Sequence, residues 1–132
     1  MPTVNLIFAW CWMSLGLVAG AVQGVGFHRE SWMGGYGSWR RRLTRLGHIA
    51  FLGTGMLNLG FALTVMNLGP PDPDVSLASF LFILGAISMP VVCYLAAWHK
   101  PWRRLFFVPV LSLTIGCGSF ITAMMRSMTQ IP

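Results

Sequence analysis

The chain has 132 residues, of which 55% are hydrophobic and 9% charged, with a formal net charge of +6. A mean hydropathy of +0.68, and a charged share far below the roughly 25% of soluble domains, exclude an ordinary water-soluble core and shell. The positive balance does not indicate a nucleic-acid partner, because the basic residues are confined to two short stretches plus Arg126 rather than spread over a solvated face.

Four apolar runs approach the ~20 residues needed to cross a bilayer, and none contains Asp, Glu, Lys or Arg. The first runs from Val4 to Phe27. It has no Lys or Arg ahead of it and is too long for a signal-peptide core, so it reads as a retained helix. Gly16, Gly20 and Gly24 recur every four residues, His28 continues the row and Gln23 lies beside it. This repeated small-xxx-small spacing predicts a close helix contact. The connection from Phe27 to Arg45 places Gly34, Gly35 and Gly37 among Trp32, Tyr36 and Trp39, and carries Arg29, Arg40, Arg41, Arg42 and Arg45.

The second run, Leu46 to Leu68, gathers Gly47, His48, Phe51, Thr54, Gly55, Asn58 and Ala62 on one helical arc. Ile49, Leu52, Met56 and Leu63 on the opposite arc suit lipid. Asn58 needs a hydrogen-bonding partner, which Gln23, Thr54 or a backbone carbonyl can supply. A proline-rich turn from Gly69 to Asp74 leads to the third run, Val75 to Ala97. Gly85, Ser88, Val92, Ala96 and His99 share a face there, and Pro90 predicts a kink. The link from Trp98 to Arg104 carries Lys100, Arg103 and Arg104. The fourth run, Leu105 to Met125, has Ser112, Gly116, Ser119 and Ala123 on one face.

These elements predict an all-α membrane protein: one domain over residues 1–132, four transmembrane helices in a compact bundle of two hairpins. Basic residues fill the first and third connections and are missing from the second, which places those two loops in the cytoplasm and both termini outside. Trp32, Tyr36, Trp39, Trp98 and Trp102 then read as an aromatic belt on the cytoplasmic side. Trp39-Arg40-Arg41 with Gly53-Thr54-Gly55 is echoed by Trp102-Arg103-Arg104 with Gly116-Cys117-Gly118, so a parallel repeat is one reading of the two hairpins. Cys11, Cys93 and Cys117 fall at different depths and are not expected to pair.

For function, His28, His48 and His99 are expected at one depth, each on a small-residue face. Such imidazoles can hold haem b or a quinone headgroup, with Arg40, Arg41, Arg42 and Arg45 available to propionates or lipid headgroups. Anchoring at the interface accounts for the same residue types. In size and helix number the chain resembles the small multidrug antiporters. The intramembrane carboxylate central to that resemblance has no counterpart, since Glu30 lies at the interface and Asp72 and Asp74 in the outer turn. A fluoride-channel-like pore needs dual topology, which the one-sided charge opposes.

The expectation is therefore a non-catalytic, multi-pass protein of the bacterial inner membrane, an accessory or assembly subunit of a larger respiratory or photosynthetic type of complex. A haem- or quinone-binding redox protein is the alternative, and a small transporter or channel the third. Expected partners are the bilayer, other membrane subunits, and anionic lipid headgroups at the first loop. Helix packing is assigned to Gly16, Gly20, Gly24, Gly55 and Asn58.

Overall fold

Pro2 precedes the first apolar run, and it suits the first turn of a helix because its missing N–H has no intrahelical partner there. In the computed structural model, which describes residues 1–69 and 73–129, this helix is α1, Pro2–Phe27. A short 3-10 turn at Trp32–Gly34 leads to α2, Trp39–Leu68, and α3 follows at Pro73–Trp98. A 3-10 segment, Lys100–Phe106, then feeds α4, Phe107–Thr129. No strand occurs among the described residues. All four helices are long and apolar enough to cross a membrane; even the 23 residues of α4 reach about 34 Å at 1.5 Å per residue. α3 runs through Pro90 without interruption.

One boundary is corrected. α2 begins at Trp39 rather than Leu46, because Ser38 caps it: the Ser38 hydroxyl accepts a hydrogen bond from the Arg41 N–H at 3.2 Å. Arg40, Arg41, Arg42 and Arg45 therefore occupy the first two turns of α2 instead of a loop. Hydropathy misses this start because arginine is a good helix former and strongly polar.

The distribution of residues across the fold is inverted relative to a soluble protein. Val18, Val22 and Val25 of α1 are exposed, whereas Asn5 and Gln23 on the same helix are buried. Exposed Ile49, Met56 and Leu63 on α2 contrast with buried Thr54 and Asn58. Contiguous apolar surface on this scale is abnormal in water and ordinary in lipid.

α1 packs on α2, α2 on α3, and α3 on α4. Close approaches at small residues set these contacts. A Cβ on Gly16 would lie 2.7 Å from the Phe51 Cβ, and one on Gly55 would lie 2.5 Å from the Met13 Cγ. A Cβ on Gly20 would collide with the His48 ring. The expected glycine row thus holds for Gly16 and Gly20 but not for Gly24, which has nothing within 4 Å of its Cβ position. Two residues further on, the 3-10 turn packs on α1, with Trp32 against Gly26. On the other side of α2, Gly47 abuts Cys93 and Tyr94 of α3. Gly85 abuts Leu113 of α4, and Gly116 abuts Leu81 and Phe82 of α3.

The repeat reading finds no support in these contacts. In it Gly53 corresponds to Gly116 and Gly55 to Gly118. In the structure Gly55 and Gly116 are packed, while Gly53 and Gly118 have open Cβ positions. At the end where α2 and α4 finish, Phe61, Phe82 and Phe120 form an edge-to-face cluster with centroids 4.9–6.4 Å apart. Beyond it Arg126 of α4 pairs with Asp74 of α3 at 2.6 Å. All three cysteines are free, as expected.

Candidate functional site

Eight of the nine basic residues lie at one end of the bundle with one of the three acids, Glu30, so the polar chemistry concentrates there. The chain leaves α1 at Phe27 and turns back through Trp32–Gly34. Met33 takes a left-handed conformation, φ 55°, costly for a side chain of this kind. Its carbonyl accepts from the Ser38 hydroxyl at 2.6 Å, and its sulfur accepts from the Thr44 hydroxyl at 3.5 Å. The residue that caps α2 therefore also holds the strained turn.

This turn closes over Arg41, which is 5% exposed. The Arg41 guanidinium lies 4.8 Å from the Phe27 ring centroid, 5.8 Å from Trp32 and 5.5 Å from Tyr36, and donates to the Glu30 carbonyl at 3.3 Å. A permanently charged side chain is thereby kept out of water by ring faces that attract cations. Arg45 stacks on Tyr36 at 4.3 Å. The expected aromatic belt is split by these contacts. Trp32 sits beneath Arg41, and the Trp39 indole donates to the Ala96 carbonyl at 2.8 Å. Tyr36, Trp98 and Trp102 remain exposed.

One turn deeper, polar side chains from three helices converge. The Gln23 amide of α1 donates to the Tyr94 hydroxyl of α3 at 2.9 Å. The His48 ring of α2 fills the gap left by Gly20, one helical turn from Gln23, while neighbouring Gly47 meets the Tyr94 ring. Two buried atoms here lack a hydrogen-bond partner, Gln23 Oε1 and His48 Nδ1; a third, Arg41 Nε, lies in the cage above.

The three histidines do not come together. His48 is half-buried, but His28 and His99 are exposed at the ends of α1 and α3, not on interior faces as expected. Among the described residues no three His, Cys, Asp or Glu side chains assemble a metal site. A haem slot beside Gly20 has no room, because His48 itself occupies it. Gln23, Tyr94 and His48 offer only small hydrogen-bonding groups near this position. Of the four arginines assigned to propionates or lipid, Arg41 is enclosed, Arg45 is stacked and half-buried, and Arg40 and Arg42 are exposed.

A second polar centre lies nearer the other end. Asn5 Nδ2 donates to Asn58 Oδ1 at 2.8 Å and to the Ser79 carbonyl at 3.3 Å, and the Ser79 hydroxyl donates to Asn5 Oδ1. Asn58 Nδ2 donates to the Thr54 carbonyl at 2.9 Å and the Phe82 carbonyl at 3.2 Å. Of the partners expected for Asn58, backbone carbonyls serve and Gln23 does not. Asn5 and Ser79 were not expected to take part; a polar residue at the edge of an apolar run reads as interfacial. The available signal was the helical spacing Asn5, Ala9, Met13, which joins the Gly16–Gly20 face through a three-residue step. Comparison with protein-family models, curated proteins and solved structures finds no match to this chain.

Proposed function

We propose that the chain is a multi-pass integral membrane protein, in the bacterial cytoplasmic membrane, with its basic end in the cytoplasm and both termini outside. Within that membrane it serves as a non-catalytic accessory or assembly subunit of a larger complex. The observation that carries this reading is the inverted interior: Asn5, Asn58 and Ser79 bond one another across α1, α2 and α3, so the polar groups within the spans act as interhelical clamps rather than lining a passage. A rigid bundle with an apolar exterior is suited to holding a place among neighbouring helices. Arg126, the one basic residue at the other end, pairs with Asp74, and the eight-to-one bias of basic residues supports this orientation. Extraction in mild detergent followed by identification of co-purifying subunits tests the assignment. Recovery of defined membrane partners in fixed ratio is expected; a protein that always elutes alone contradicts it.

The Gln23–Tyr94–His48 junction favours one second reading, a binder of a small hydrogen-bonding headgroup such as a quinone. Two unpartnered buried polar atoms in an apolar setting are costly and invite a ligand. Stoichiometric quinone released on extraction, and lost in His48→Ala, supports that reading; quinone-free protein from quinone-replete cells removes it.

A further inference from the structure

At the basic end an open cleft of ≈ 420 Å³ separates the start of α2 from the end of α3. Its cations are Arg40 and Lys100, its apolar walls include Trp39 and Trp98, and its rim includes Gly34 and Ser38. No carboxylate lines it. The Arg40 guanidinium is held over the Trp98 ring, 5.2 Å from its centroid, which fixes the charge at the cleft instead of leaving it on a free stem. The Trp39–Ala96 hydrogen bond fixes the wall behind it. Trp39 is the first residue of α2 and Trp98 the last of α3, so the cleft sits where both apolar spans end.

We propose that this cleft binds the phosphodiester headgroup of an anionic glycerophospholipid. A free phosphate would use the two cations alone. A lipid phosphate carries glycerol and acyl carbons with it, and these use the indole walls at the depth where aromatic side chains meet headgroups. Arg42, Arg103 and Arg104 are exposed at the same end and raise the local positive potential without lining the cleft. That difference separates a built site from a generally basic surface.

The inference rests on the membrane reading, and the experiment distinguishes the two. The full chain is extracted in mild detergent, offered phosphatidylglycerol and phosphatidylcholine in equal amounts, and its bound lipids are counted by native mass spectrometry. Phosphatidylglycerol is expected to be retained over phosphatidylcholine. Arg40→Gln with Lys100→Gln should weaken its retention about fivefold for each charge removed. The charge-matched pair Arg42→Gln with Arg104→Gln should retain it. All four positions are exposed, so each protein should keep its fold by circular dichroism. Equal loss in both pairs would reduce the cleft to unspecific surface charge and overturn the proposal. Displacement of the lipid by inorganic phosphate would make a soluble anion the occupant and overturn it as well. Retention of both lipids alike, or of neither, sinks the cleft alone, whereas recovery of the chain in the soluble fraction without detergent sinks the membrane reading with it.

Discussion

Asn58 uses both donors and its acceptor inside the bundle, bonding α1 through Asn5 and α3 through the Phe82 carbonyl. In a hydrocarbon setting the alternative to such bonds is an unsatisfied amide, so truncation leaves Asn5 with a lost partner as well. Asn58→Ala should lower stability by about 1–2 kcal/mol in detergent unfolding curves. Asn67→Ala is the control: among the described residues its amide donates only to the Leu63 carbonyl of its own helix, at an exposed position, and its loss should be close to neutral. Equal effects would mean that the buried network contributes nothing beyond local bonding. Part of this network was legible in the sequence. Asn58 stands alone in an apolar run and demands a partner. Asn5 does not, because three residues from a helix start it is indistinguishable from an interfacial asparagine until the helices are docked.

Among whole elements, the α1–α2 contact depends on where the missing side chains fall. Phe51 Cβ is close to its own backbone and cannot yield to a side chain at position 16. Gly16→Leu and Gly20→Leu should therefore each destabilise the protein by about 1–3 kcal/mol through overpacking. Gly24→Leu and Gly53→Leu, at open positions, should leave the unfolding midpoint unchanged. Tolerance at Gly16 would contradict the close approach. The start of α2 carries a separate test, because Ser38 both caps the helix and holds the Met33 carbonyl. Ser38→Ala should cost about 1 kcal/mol and speed trypsin cleavage among Arg40, Arg41 and Arg42. Unchanged cleavage would detach the cap from the turn. Hydropathy located all four helices, since apolar length is what it measures. It placed the start of α2 too late because amphiphilic turns at an interface carry no apolar signal. The enclosure of Arg41 was hidden for a related reason: a run of arginines looks uniform until one of them is covered by rings from elsewhere in the chain.

For the molecule as a whole, exposed valines, leucines and isoleucines surround buried asparagine, serine and glutamine, and eight of the nine basic residues gather at one end. Both features are accounted for by the proposed arrangement, four spans in lipid with the basic end facing the cytoplasm. The histidines fit that arrangement without a haem, since His28 and His99 lie exposed beside the other polar residues of that end. Orientation is the claim on which the accessory assignment and the lipid cleft both stand, and single cysteines in an otherwise cysteine-free chain test it directly. Gly37 is exposed with open space at its Cβ position, and Thr129 is exposed at the end of α4. In intact cells a membrane-impermeant maleimide should label Thr129→Cys at once and Gly37→Cys only after the membrane is opened. A Gly37→Cys protein labelled in intact cells, with Thr129→Cys protected, would contradict the account.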